Sequence, residues 1–119
     1  MRYCCMNERD RTVMKKMLRY CEQIEKTHRQ FSGDQALFFS EEEGFIYRNA
    51  VSMPILQIGE LAKHLSDDFR RSHGDIPWRA ITRMRDIFAH HYGSVDYSEL
   101  WHTSRDDISA LKRFLESNC

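Results

Sequence analysis

The sequence predicts an all-α protein, an antiparallel bundle of four to five helices. Three observations predict it. Only 2 prolines and 5 glycines occur in 119 residues, so long stretches run without a helix breaker. Apolar residues recur at three- and four-residue spacing along most of the chain. No stretch shows the two-residue alternation of a half-buried strand, and no internal repeat or low-complexity tract interrupts the pattern.

The first helix is expected over about residues 8–29. Val13, Met17, Cys21 and Ile24 mark one face, with Tyr20 and His28 on the same side. Asn7 suits the N-cap, and Asp10 in the first turn meets the positive end of the helix dipole. A break follows at Ser32-Gly33-Asp34, then a short helical turn from Gln35 to Phe39. Ser40-Glu41-Glu42-Glu43 reads as a capping box that opens a helical run to about Ser72. Ile58, Leu61, Ala62, Leu65 and Phe69 share its apolar face. Pro54 lacks an N–H and crowds the Ala50 carbonyl, so a kink, or two helices in series, is expected there. After His73-Gly74-Asp75-Ile76, Pro77 suits the first position of a new helix. That helix carries Trp78, Ile81, Met84, Ile87 and Phe88, with Gly93 as its C-terminal stop. Asp96 and Glu99 resemble a second capping box, and Tyr97, Leu100, Trp101, Ser104, Ile108, Leu111 and Leu115 line the last helix.

Composition narrows the function classes. Hydrophobic residues make up 41% and charged residues 30%, the profile of a soluble globular protein. The length suits a single domain over 1–119, with a modest core that a dimer interface would extend. The 18 basic and 18 acidic residues cancel, so no global field announces a nucleic-acid partner. Cys4, Cys5, Cys21 and Cys119 form no C-x-x-C pair and no metal-ligand spacing, and read as free thiols of a reducing cytoplasm. The N-terminal segment lacks the apolar run of a signal peptide, and no stretch reaches the length of a spanning helix. A cytoplasmic protein without membrane contact is the expectation.

One segment stands out, Arg83-Met84-Arg85-Asp86-Ile87-Phe88-Ala89-His90-His91-Tyr92-Gly93. At about 100° per residue, Ile81, Met84 and Phe88 point to the core, while Arg85, Asp86 and His90 point largely away. Asp86 and His90 are four apart and can meet. Tyr92, seven after Arg85, returns to its side of the helix. RNA cleavage beside a 2′-hydroxyl needs a base for its proton and a cation for the phosphate. Histidine titrates near neutrality and serves as base or acid, and arginine offers a fixed fork of donors to phosphate oxygens. No metal or cofactor is needed in that scheme. Arg70, Arg71, Arg79, Arg83 and Arg85 outnumber Asp75 and Asp86 locally, a basic patch that the net charge hides; Arg79, Arg83 and His91 are candidate RNA contacts. The plain structural reading stands beside this one: a histidine near a helix C-terminus also favours the dipole. His90-His91 suggests a metal, but no third ligand appears at a recognisable spacing.

The motif Arg85-x4-His90-x-Tyr92 resembles the signature of the HEPN superfamily, in its HepT-like branch. Ile58-Gly59-Glu60-Leu61-Ala62-Lys63, Ile76-Pro77-Trp78-Arg79, Met84-Arg85-Asp86, Val95-Asp96 and Trp101 follow in that family's order. The similarity spans nearly the whole chain and is densest from about residue 55 to 105. It implies a HEPN bundle, usually a homodimer with the two motif helices facing across a cleft. It implies a metal-independent endoribonuclease, with Arg85 and His90 catalytic and Asp86 assisting. Many relatives carry Asn where Asp86 stands. It implies the toxin of a type VII-like toxin–antitoxin pair, whose partner, a minimal nucleotidyltransferase, transfers AMP onto Tyr92 and blocks RNA entry. The alternative is a non-catalytic module that binds nucleotide or protein as a nucleotidyltransferase's partner subunit.

Overall fold

A computed structural model describes residues 7–118, and all of their regular structure is helical. α1 spans Glu8–Gln30, α2 Gln35–Phe39, α3 Phe45–Ala62, α4 Asp67–Ser72 and α5 Trp78–His90. A 3-10 turn at Tyr92–Ser94 leads to α6, Tyr97–His102, which passes through a π-turn at Thr103–Asp107 into α7, Ile108–Asn118. α1 packs against α3 and α7, and α3 packs against α5, so four helical rods form the bundle.

The start of α1 follows the sequence closely. The Asn7 side chain accepts the Asp10 N–H at 2.7 Å. Val13, Met14, Met17, Cys21 and Ile24 are buried on one face. Burial pushes the Cys21 thiol up to about 12, so it remains a neutral apolar filler. Cys4, Cys5 and Cys119 lie outside the described residues. α1 ends where Ser32 and Gly33 turn left-handed at φ 57° and 59°, and the Gly33 N–H bonds back to the His28 carbonyl at 2.8 Å.

The second quarter departs from expectation in three ways. Ser40 does accept the Glu43 N–H at 3.1 Å, but residues 41–44 form only a turn, and the helix starts at Phe45. The buried Arg48 guanidinium explains the delay: it donates to the carbonyls of Phe38 and Ser40 at 2.5 and 2.8 Å and draws the turn down. Pro54 does not divide the run. α3 continues through it to Ala62, with Val51, Pro54, Ile55 and Ile58 buried together. The break falls at 63–65 instead, and Ser66 causes it. Its hydroxyl caps α4 by accepting the Phe69 N–H and donates to the buried Asp10 at 3.0 Å, while its own N–H bonds the same carboxylate at 3.1 Å. Asp10 therefore stitches the start of α1 to the start of α4.

Pro77 is the N-cap of α5 rather than its first residue, a shift of one position. Gly93 is not the left-handed stop expected of it; α5 ends at His90, and Gly93 sits in the 3-10 turn. Asp96 caps α6 through the N–H groups of Ser98 and Glu99 at 2.8 and 3.3 Å. The last helix is one rod with a π-turn that rotates Thr103 and Ser104 inward.

That π-turn gives His28 a defined state. Ser104 donates its proton to the Trp101 carbonyl at 3.1 Å, so His28 Nε2–H donates to Ser104 Oγ at 3.1 Å. Nδ1 then accepts from the Tyr47 hydroxyl at 2.5 Å. Burial, seconded by the nearby Arg105 cation, lowers the His28 pKa to about 4. As pH falls from the unfolded value of about 6.5 toward 4, the unfolded chain takes up a proton that the folded ring refuses. Stability is thus full above pH 6.5 and falls through that window, by about 1–2 kcal/mol after screening of a half-buried ring. Denaturant titrations at pH 7 and pH 4.5 check it: His28→Gln should flatten the difference.

Candidate active site

The site forms where α5 lies antiparallel along α3. Gly59 makes the approach possible. A Cβ there would fall 2.8 Å from Arg85 Cγ and 3.3 Å from the Ile81 carbonyl oxygen, and inside contact with Arg85 Cβ. The next residue, Glu60, then holds Arg85: one Glu60 oxygen accepts from Nε and Nη2 of the guanidinium. The remaining nitrogen, Nη1, donates to Asp86 Oδ1 at 2.8 Å. Arg85 keeps only 17% of its side-chain surface exposed. Its fork is fixed between two carboxylates, and the Arg85 hydrogen bond holds the Asp86 carboxyl below its ordinary range.

His90 is the last residue of α5 and is exposed. Asp86 does not bond to it. The carboxylate turns to Arg85 instead, and His90 reaches it only as one of the weaker charges that favour its ionised form. The expected Asp86–His90 pairing is thus replaced by Arg85–Asp86.

Tyr92 sits elsewhere. α5 has ended, so the helical projection that placed it beside Arg85 no longer applies. Its hydroxyl donates to Asn49 Oδ1 on α3, and its ring meets Phe88 edge-on at 5.6 Å. It remains 41% exposed. The structure thus brings Arg85 and Asp86 together one turn before His90 and places Tyr92 against α3.

The basic run is less open than its sequence suggests. Arg70 pairs with Asp67 at 2.7 Å, Arg71 with Asp68 at 2.5 Å and Arg83 with Glu99 at 2.7 Å. Glu99 therefore serves Arg83 and does not complete a capping box. Arg79 and His91 are exposed and have no ion pair among the described residues. Among the described residues, no three His, Cys, Asp or Glu side chains gather to hold a metal ion, and no helix is long and apolar enough to cross a membrane.

Sequence reasoning missed Glu60 and Asn49. Both act across helices, and periodicity does not report what lies opposite. The signal for Glu60 was the Ile58-Gly59-Glu60 run, where a glycine inside an apolar helix marks close packing.

Comparisons with known proteins bear on this geometry. The chain matches the family described as ribonuclease HepT-like over residues 17–117. A protein of Thermococcus cleftensis named as a probable ribonuclease HepT is 49% identical over 55 residues, 46% of this chain and 50% of that protein. An RNase-named protein of Methanocaldococcus jannaschii is 32% identical over 69 residues, 58% of this chain and 63% of its own length. Another, from Caldanaerobacter subterraneus, is 32% identical over 80 residues, 60% of this chain and 71% of its own length. The aligned part of the chain thus spans about half the length of the Thermococcus relative. No solved structure matches the chain.

Proposed function

The chain belongs to the ribonuclease HepT-like family, and from that premise we propose that it cuts RNA as an endoribonuclease, using Arg85 and His90. One observation carries the reading. Arg85 is a guanidinium locked in place by Glu60, one helical turn before an exposed histidine, in the segment that the family match covers. Preorganised charge of this kind needs little rearrangement when a phosphate arrives.

Histidine takes the proton of the RNA 2′-hydroxyl, whose oxygen attacks the adjacent phosphorus. The bond to the 5′-oxygen breaks, and that oxygen leaves as a hydroxyl by taking the proton back from the imidazolium. The products are a 2′,3′-cyclic phosphate and a 5′-hydroxyl, so atoms and charge balance without a metal. Arg85 takes up the charge growing on the phosphoryl oxygens. Asp86 is the displaceable partner: its side chain is 61% exposed, and exposed ion pairs contribute little. Phosphate takes its place on Nη1 while Glu60 keeps the other edge. Arg79, Arg83 and His91 are the proposed outer RNA contacts. For Arg83 this requires release from Glu99, a pair with a well-exposed arginine.

Two further parts belong to the proposal. The chain, one domain over residues 1–119, acts as a homodimer that brings two motif helices to one cleft; Phe45 and Ile46, 52% and 58% exposed at the start of α3, support an apolar contact surface. Tyr92 is the control point. A minimal nucleotidyltransferase transfers AMP from ATP to its hydroxyl, with pyrophosphate leaving, in a toxin–antitoxin pair of the cytoplasm. The 41% exposure of Tyr92 supports access to its phenol, once the hydroxyl leaves Asn49.

Expression in a bacterial host tests the reading. The wild-type chain should arrest growth, and Arg85→Ala should relieve the arrest while the protein stays folded by circular dichroism. Co-expressed nucleotidyltransferase should restore growth and add AMP to the intact mass, with neither effect in Tyr92→Phe. Arrest that persists in folded Arg85→Ala counts against the assignment.

A further inference from the structure

The cleavage scheme leaves one feature unused, a groove between α3 and α5. It lies between the two contacts that tie these helices, Arg85–Glu60 at one end and Tyr92–Asn49 at the other. Its volume is about 310 Å³, and Asn49, Ser52, Met53, Leu56, Phe88 and Tyr92 line it. Ligand pockets run from roughly 300 to 1,000 Å³, so this one suits a single flat ring system rather than a peptide.

The lining chemistry points the same way. Met53 and Leu56 form an apolar side, and Met53 is 58% exposed despite its size. A thioether adapts its shape to a flat aromatic face. Phe88 and Tyr92, nearly perpendicular at 72°, supply an aromatic wall. Proteins hold unstacked nucleobases on such aromatic surfaces, with a polar group reading the base edge. Asn49 supplies that group. Its oxygen accepts from Tyr92, while its amide nitrogen has no partner among the described residues, and the residue lines the same groove. Ser52, by contrast, already donates to the Arg48 carbonyl at 2.7 Å.

We propose that this groove is a nucleobase seat. The proposal rests on the ribonuclease reading for the source of the base. One source is the nucleotide beside the cut phosphate of the RNA. The other is the adenine of an AMP group carried by Tyr92. In either case Asn49 and Met53 are positioning residues; with RNA bound, Arg85 and His90 act on the phosphate that follows the seated base.

The test uses the full chain with Met53→Glu and the conservative Met53→Leu, both at an exposed position, with circular dichroism and sedimentation as controls. Calorimetry with AMP and with ribose 5-phosphate reads the adenine arm. Cleavage of an RNA oligonucleotide, with or without the base beside the cut, reads the substrate arm. A working seat binds AMP but not ribose 5-phosphate, or raises KM about tenfold when that base is removed. Met53→Glu should erase whichever preference is seen, and Met53→Leu should keep it. Preference in the calorimetry alone assigns the seat to the transferred adenine; preference in cleavage alone assigns it to the substrate. Indifference to the base in both arms overturns the proposal. So does a Met53→Glu protein that keeps its base preference, or one that changes only its sedimenting mass, which would give the groove to a second copy. A wild-type chain that cuts no RNA ends the ribonuclease reading, and the AMP arm then decides the seat alone.

Discussion

His90→Ala is expected to lower the rate of RNA cleavage by about 10²–10⁴-fold, the range for losing a positioned acid or base. Its melting transition should stay within about 0.5 kcal/mol of the wild type, because the side chain is exposed at the end of α5. Activity and stability separate cleanly here, which makes His90 a sharper probe than Arg85. Removing Arg85 also strands the Glu60 carboxylate, so part of any loss would come from the α3–α5 contact. His91→Ala, one residue on and also exposed, serves as the matched comparison and should cost far less. Single-turnover kinetics with denaturant melts check both. Equal losses at the two histidines would point to a general electrostatic effect rather than a catalytic group.

The second large effect is expected from a residue with no side chain. Gly59→Ala should destabilise the protein by about 1–3 kcal/mol and reduce cleavage with it. The added methyl meets Arg85 Cβ and Cγ, the stem of the side chain next to the backbone, which cannot swing aside. α3 and α5 must separate, and Glu60 then loses its grip on the guanidinium. The midpoint of urea unfolding reads the first consequence, and the cleavage rate at a temperature where the variant is folded reads the second. A Gly59→Ala protein as stable and active as the wild type would show that the close approach is not needed.

The sequence was most legible where structure is local. Asn7 and Asp96 act as caps, and Ser40 holds the turn before α3, because such residues bond N–H groups two or three positions away. The inward faces of α1 and of the last helix follow from spacing alone. Interactions across helices were not legible. Arg48 delays the start of α3 by reaching carbonyls of the preceding turn, and Ser66 ends the run by joining Asp10 on α1. Spacing placed Ser104 on the inner side of the last helix, but neither the π-turn at Thr103–Asp107 nor its partner His28 on α1 was legible. In the site, Arg85, Asp86 and His90 were identifiable as a set on one helix. Their pairing was not, because the competitor for Arg85 comes from α3. Tyr92 was misplaced for a different reason: helical projection holds only while the helix lasts, and α5 ends two residues before it.

The proposed function turns on Arg85 and His90 cutting RNA by its own 2′-hydroxyl. The most direct measurement is to incubate end-labelled RNA with purified protein in excess EDTA and identify the product ends. Cleavage should survive EDTA, leave 2′,3′-cyclic phosphate and 5′-hydroxyl ends, and yield neither product in His90→Ala. Intact RNA, cleavage that EDTA abolishes, or 5′-phosphate ends would contradict that chemistry.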